Sequence, residues 1–377
     1  MKLLMVLTYY YPHWTGLSVY ARLLAEGLAR RGHQVTVLTS RYDKTLPKAE
    51  VHEGVRIVRL ERVASVSRGV IMPTFPIAAY RLLREHDVVQ MHAPILEAPL
   101  LTTLAKRLGK KALFTHHGDL VMPSGLFEQF VERTVTWLMR QALKDAALIT
   151  IHTKDYADNS PFLSPFRDKL VHVLPPVDIP VPVPEQVAQW RSELGLDDAE
   201  VVGFAGRFVE EKGFDFLLKA IPYVAERVPN VQFVYAGDVN VAYESFFEKW
   251  QHLADRYRDH IVMLGLLRGR QKIANYYALC DILALPSRTD CFPMVQVECM
   301  LCGTPTVATD IPGLRVPVRL TKMGLLVKPQ DEHALADGIV RLLEHRGEYT
   351  KSREEIGEVF DLEKTIGTYE RLLQSLI

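Results

Sequence analysis

The sequence predicts an α/β protein of two doubly wound, Rossmann-like domains, and three observations carry that prediction. The chain has 377 residues, more than one hydrophobic core ordinarily supports. Short aliphatic runs alternate along it with segments whose apolar residues recur every three or four positions, which reads as strand following helix. The alternation breaks once, at LPPVDIPVPVPEQ, where five prolines between 175 and 185 exclude interior strand or helix and mark a stiff linker. The first domain is therefore placed at 1–174 and the second at 175–356.

The first element is LLMVLTYY. One lysine before an apolar run superficially resembles a secretion signal, but no small-residue cleavage site follows and the run dissolves into tyrosines, so an opening strand is expected. After the turn-rich YPHWTG, Leu17, Tyr20, Ala21, Leu24 and Leu28 mark one face of a helix, Gly32 stops it, and QVTVLTS is the next strand. VRIVRL, DVVQMH, KALFTHH and ALITIHT continue the series with helical patterns between them, as in a parallel sheet covered on both faces. Beyond the linker come VVGFAG, a helix from about Phe214 to Val228, VQFVYAG, a long helix, IVMLG, another helix, DILALP, a helix at about 293–302, and TPTVATD. A last helical pattern from about Phe360 to Leu376 puts Ile366, Tyr369, Leu372 and Leu373 on one side, and spacing does not name its partner.

Composition narrows the class. With 45 basic and 45 acidic side chains there is no net electrostatic pull, which disfavours nucleic acid as the main partner. All four cysteines fall between 280 and 302, whereas a secreted disulfide scaffold spreads them, so a reducing, cytoplasmic setting is expected. No apolar run reaches the roughly 18 residues of a membrane span. The stretch SRGVIMPTFPIAAYRLLR (67–84) mixes apolar and basic residues, which suits either a peripheral membrane contact or a covered helix flank.

Ligands of doubly wound sheets bind at loops after strand carboxyl ends, so those loops hold the candidate chemistry. After VVGFAG, Gly206 and Gly213 bracket Arg207 and Lys212 ahead of a helix, a favourable place for an anion such as diphosphate; a solvated loop with its cations paired to Glu210 and Glu211 is the plainer alternative. No GxxxxGK[ST] occurs, and YPHWTGLS has one glycine where a dinucleotide fingerprint needs three, which disfavours an ATPase or an NAD enzyme. In SRTDCFPMVQVECMLCGTP, Pro293 suits the first turn of a helix, Asp290 falls in the loop before it and Glu298 lies more than a turn inside, so each carboxylate is able to hold a different sugar ring. An N-cap acid and an exposed glutamate explain the same spacing. Cys299 and Cys302 have metal or redox spacing, but no second matched pair accompanies them, and small side chains packing a helix on a sheet are the default. FTHHGD places His116, His117 and Asp119 at a strand end, where a histidine either hydrogen-bonds a substrate oxygen or is merely a surface residue.

Together these segments resemble a family 4 retaining glycosyltransferase of the GT-B fold. The resemblance runs over nearly the whole chain, through YYPHWTGLSVYARLLAEGLARRGHQVTVLTS, HHGD, GRFVEEKGFDFLLKA, YAGD, DILALPSRTDCFPMVQVECMLCGTP and VATDIPG, and the Asp290 to Glu298 spacing matches that family's E-x7-E motif. It implies two Rossmann-like domains facing a central cleft, a first one binding acceptor and completed by a returning C-terminal helix at 357–377, and a second one binding nucleotide sugar. The implied reaction moves a hexosyl group from a UDP- or GDP-sugar to a glycan or lipid-linked acceptor with retained configuration, in polysaccharide or glycolipid synthesis, with no cofactor and no required metal. Arg207 and Lys212 would neutralise the diphosphate and Glu298 would hold the ribose. Asp290 with Cys291, Phe292, Pro293 and Met294 would face the sugar and its phosphates, Gly16 and Gly206 would allow close approach, and His117 would contact the sugar. The chain departs from the pattern at Asp290, one methylene shorter than glutamate, and at Thr15, Pro312 and Val316. A catalytically weak sugar-nucleotide binder in a polysaccharide pathway is the second reading those departures support.

Overall fold

The computed structural model describes residues 1–66, 69–120, 125–239, 241 and 244–377. Ser67 and Arg68, which open the candidate membrane-facing stretch, lie outside the described residues; the rest of that stretch leads into the helix Phe75–Glu85, which buries Phe75, Ala79, Leu82 and Leu83 and exposes Ile77 and Tyr80. The chain divides into two units, Met1–Pro176 with Asp361–Ile377, and Val177–Phe360, where the sequence sets the changes at 174/175 and 356/357.

The first unit contains β1 (Lys2–Val6), β2 (Gln34–Arg41), β3 (Ala49–His52), β4 (Val55–Glu61), β5 (Ala64–Val66), β6 (Gly69–Ile71), β7 (Val88–Ala93), β8 (Lys111–His116), β9 (Leu148–Ile151) and β10 (Leu170–His172). Its main sheet has the order β10-β9-β8-β7-β1-β2-β4-β3. Every pair in it is parallel except β3 with β4. That exception corrects the expectation of a helix between each pair of strands. Between β2 and β4 the chain instead makes a hairpin through Glu53 and Gly54, both at positive φ, the turn chemistry of a tight two-residue connection. β3 is short and exposed at alternate positions, as an edge strand is.

The helix Gly16–Arg30 begins at a capping box formed by Thr15 and Ser18 and ends before Gly32, which takes φ 85°. Against it lies the last helix, Leu362–Gln374, the partner that spacing alone did not name. A Cβ on Gly27 would fall 2.3 Å from Ile366 Cδ1, so a larger residue there would force the Ile366 side chain to move. Tyr20 and Tyr369 share a hydrogen bond at their buried hydroxyls, and Arg31 pairs with both Glu363 and Glu370.

The second unit contains β11 (Glu200–Ala205), β12 (Val231–Ala236), β13 (Ile261–Gly265), β14 (Ile282–Leu285), β15 (Thr306–Thr309) and β16 (Gly324–Val327), in the order β13-β12-β11-β14-β15-β16, all parallel. The helices Phe214–Ala225 and Glu332–Glu344 close one face of it over Phe204, Phe233 and Tyr235. The chain moves outward in one direction from β11 and in the other from β14, so the loops after these two neighbours part at a switch point. No helix among the described residues is long and apolar enough to cross a membrane.

Candidate functional site

The switch point of the second unit collects the loops that follow β11, β14 and β15. Gly213 takes φ 69°, and a Cβ on it would lie 1.9 Å from the carbonyl oxygen of Pro286, so the first two loops meet backbone to backbone. Arg288 stitches them together. Its backbone N–H donates to Glu211 O (2.8 Å), its Nη1 donates to Glu210 O (2.8 Å), and its guanidinium grips buried Asp215 with bonds of 2.7 and 2.8 Å. The third loop closes on the second: Asp290 and Gly313 form a parallel bridge, and a Cβ on Gly313, at φ 83°, would meet Cys291 O at 2.3 Å.

This stitching delivers Lys212 Nζ to 2.6 Å from Asp290 Oδ2. Burial alone would depress the lysine's pKa, but the charges of Asp290 and Glu211 and the bond to Asp290 outweigh it, and the ammonium is held above its ordinary range. Arg207 pairs with Glu211 at 3.0 Å. The plainer reading of these cations thus holds in part: Glu211 takes Arg207, while Lys212 is held by an acid 78 residues away and not by Glu210. The helices Phe214–Ala225 and Met294–Leu301 both start beside these groups without a side-chain cap, unlike Gly16–Arg30 or Glu332–Glu344. These first-turn N–H groups lie next to the two cations, whose present partners are Glu211 and Asp290, a combination able to meet an anion that displaces or shares those carboxylates. Pro293 stands at the N-cap of its helix, one residue before the first-turn position expected for it.

Glu298 sits in the second turn of Met294–Leu301 and accepts a hydrogen bond from the Tyr277 hydroxyl at 3.0 Å. Burial pushes its carboxyl up to about 7, against the Tyr277 bond and Arg270, which pull it down. Arg270 is itself paired with Asp178 at 2.5 Å.

The first unit holds a separate cluster. His116 and His117 are consecutive at the end of β8 and point to opposite faces. His116 Nε2 bonds Asp119 at 2.9 Å and its ring stacks on Phe162. His117 Nε2 lies 2.9 Å from Nδ1 of fully buried His92, with Tyr20 and His152 around the pair. Burial, then the neighbouring imidazoles, holds His117 well below its ordinary pKa, so it works as a neutral hydrogen-bonding group. Gly16 opens the helix Gly16–Arg30, and no other group stands within 4 Å of where its Cβ would be.

The four cysteines are free thiols. Cys280 donates to Tyr276 O and Cys299 to Thr304 O, both at 3.2 Å, and no group of three or more metal-ligating side chains occurs among the described residues. Burial raises the thiols of Cys280 and Cys299 and pushes Cys302 up to about 12. At pH 8 a thiol of that pKa is about 10⁻⁴ ionised, so a disulfide reagent should label these cysteines slowly in the folded chain and fully after denaturation. A rapid native-state equivalent, or stoichiometric zinc by elemental analysis, would overturn the packing role.

Arg207, Lys212, Gly206, Asp290, Cys291, Phe292, Pro293, Met294 and Glu298 are all in the second unit, and Gly16 and His117 are in the first. Arg288, Asp215, Tyr277 and His92 escaped the sequence reading. The visible signal for the first two was an arginine inside SRTDCF and an aspartate at the second position of FDFLLKA.

Two family models match, Glycosyltransferase Family 4 over residues 14–179 and Glycosyl transferases group 1 over residues 199–345. The chain is 29% identical over 362 residues to D-inositol 3-phosphate glycosyltransferase of Mycobacteroides abscessus, covering 88% of this chain and 78% of the relative. It is 25% identical over 367 residues to an uncharacterized glycosyltransferase of Methanocaldococcus jannaschii, covering 92% and 90%. Among solved structures it is similar to Anabaena HepE in complex with UDP and glucose (TM-score 0.81, 19% identity, 100% of both chains). It is also similar to sucrose-phosphate synthase of Thermosynechococcus elongatus (TM-score 0.78, 21% identity, 100% of this chain and 98% of that one).

Proposed function

The chain belongs to the group 1, family 4 glycosyltransferases of GT-B fold, enzymes that use nucleotide sugars, and from that premise we propose a retaining, metal-independent hexosyltransfer from a UDP- or GDP-sugar. The observation that carries this reading is the meeting of Lys212, Arg207 and two uncapped helix starts at one switch point, with Glu298 a turn farther along.

In this reading the diphosphate lies against Lys212, Arg207 and the backbone at 291–294, where Met294 opens the helix and Pro293 offers no N–H, with Gly206 leaving room for its approach. Fixed cations that meet the charge developing on the leaving phosphate do the work a bound divalent ion would otherwise do. Glu298 takes the ribose hydroxyls as an ionised acceptor of two hydrogen bonds. Asp290 orients Lys212 through Oδ2; Oδ1, which has no hydrogen-bond partner among the described residues, faces the sugar. The bond between the anomeric carbon and the phosphate oxygen breaks as the acceptor oxygen bonds that carbon from the same face, and the departing phosphate oxygen takes the acceptor's proton. Positioning and charge, with no protein nucleophile, then carry the rate. His117 supplies a neutral hydrogen bond to a sugar oxygen, and Gly16 keeps the first helix start open.

The acceptor we propose is a glycan or a lipid-linked sugar, with the first unit as the acceptor-binding domain, in polysaccharide or glycolipid synthesis. Curated relatives are named for an inositol phosphate acceptor, which supports a hydroxylated ring as the class. Four free thiols within 23 residues, three of them buried, support a cytoplasmic protein, peripheral at most. The test is turnover of UDP- and GDP-hexoses with and without EDTA, with the product anomer read by NMR. Turnover indifferent to EDTA, an unchanged anomer and a fall of about tenfold or more in Arg207→Ala are expected. A strict metal requirement, or an inverted product, would refute the corresponding part.

A further inference from the structure

In the parallel register of β7 and β8, His92 stands opposite Thr115, so His117, two residues farther on, lies on the face of the sheet that His92 shares. The two imidazoles meet on unequal terms. His92 is wholly buried; its Nδ1 lies 2.9 Å from His117 Nε2, and its own Nε2 has no hydrogen-bond partner among the described residues. His117 is half-buried, and its Nδ1 has no such partner among them either. The His117 ring is held in place as well: Tyr20 stands nearly perpendicular to it, ring centres 4.8 Å apart at 87°, and the Tyr20 hydroxyl is fixed by Tyr369 of the last helix.

Burial, with His152 beside it, pushes His92 down to about 3 and holds His117 well below its ordinary range, so both rings are neutral and each carries one proton. Two arrangements share their bond. If His117 donated, the proton of His92 would sit on its buried Nε2, an N–H with no acceptor. If His92 donates, its Nε2 is a bare lone pair, and the unshared proton falls on His117 Nδ1, on the half-buried ring, where water or a ligand oxygen is able to accept it. Buried N–H groups without an acceptor are rarer in folded proteins than under-used acceptors, which favours the second arrangement.

We propose that His92 is a positioning residue, donating from Nδ1 to His117 Nε2 and so holding His117 as the Nδ1–H tautomer that offers a proton to an oxygen of the transferred sugar. Its bearing on transfer rests on the reading above; the tautomer does not.

The experiment reads the tautomer first. In the full chain with isotopically labelled histidine nitrogens, long-range proton–nitrogen NMR separates protonated from bare ring nitrogens, and the His117 pair is identified by its loss in His117→Ala. With no ligand added, His117 is expected to show a protonated Nδ1 and a bare Nε2. His92→Leu, of similar bulk and without a donor, should average the two His117 nitrogens and lower kcat about tenfold, the scale of one hydrogen bond. His92→Asn, whose amide N–H sits on the atom bonded to Cγ as Nδ1 does, should keep the tautomer and most of the turnover. In the His117→Ala background His92→Leu should cost no further turnover, whereas a loss through packing alone would add to it. A protonated Nε2 or averaged nitrogens in the parent chain, a His92→Asn no better than His92→Leu, or additive losses overturn the inference. Turnover of the parent chain on the same preparation is the separate check: the Nδ1–H tautomer in a chain that transfers no hexose would defeat the transferase reading and leave the tautomer standing.

Discussion

Lys212→Ala is expected to lower turnover by about 10²–10³, the usual loss when one fixed group facing developing charge is removed. The side chain is 26% exposed and its partner Asp290 13%, so the pair is reachable by a ligand and still sheltered enough for its charge to count. Removing the ammonium also strands Asp290, which should cost about 1–2 kcal/mol of stability. Lost turnover and lost stability are separable. In Lys212→Ala/Asp290→Asn the stranded charge is gone, so the melting temperature should recover while turnover stays low. Lys212→Arg should fall between, since it keeps the charge but replaces a compact ammonium by a planar fork in a site shaped around Pro286 and Gly213. If Lys212→Ala kept most of its turnover, or if the double variant regained it, the pair would be a structural bridge and the diphosphate would have to be held elsewhere.

How far such a pair was legible in the sequence follows from the range of the physics. The strands were readable because aliphatic runs such as VVGFAG and DILALP become buried parallel strands whatever their neighbours are. β3 was not, since four half-exposed residues carry too little periodicity, and only the Glu53-Gly54 turn betrays it. The glycine and lysine of the 206–213 loop and the carboxylates of the 290–298 block stood out locally. That Lys212 belongs to Asp290, and Glu298 to Tyr277, depends on β11 and β14 being neighbours and on the helix Arg270–Leu279 packing beside Met294–Leu301. Contacts between residues 78 or 21 positions apart are properties of topology, which no local pattern encodes. Arg288 is the clearest case, an arginine in a charged loop whose role appears only when Asp215 is found buried under it. The cysteines show the reverse: spacing alone suggests a metal site at Cys299 and Cys302, while the fold turns the Cys299 thiol to the Thr304 carbonyl, as it turns Cys280 to that of Tyr276.

Glu298 makes donor binding depend on pH in a direction opposite to its effect on folding. Its carboxyl is raised from 4.5 to about 7 in the folded chain, so the folded state keeps a proton that the unfolded state gives up. The associated stability is fully present below pH 4.5 and is lost as pH rises through about 7, by up to roughly 3 kcal/mol. Glu298→Gln, neutral at every pH, should therefore be more stable than the parent at pH 8 and about equal to it at pH 4.5. The ribose hydroxyls need the ionised form, because only a carboxylate accepts from both without offering a proton of its own. Nucleoside diphosphate affinity should then climb about tenfold per pH unit up to about 7 and level off above it, with close to one proton released on binding at pH 6 and almost none at pH 8.5. Calorimetry in two buffers of different ionisation enthalpy measures that proton directly. In Glu298→Gln the slope should vanish and the plateau affinity drop by roughly tenfold. A flat affinity between pH 6 and 8 in the parent chain would mean that the ribose does not meet this carboxylate, and the buried pairing with Tyr277 would then be a feature of packing alone.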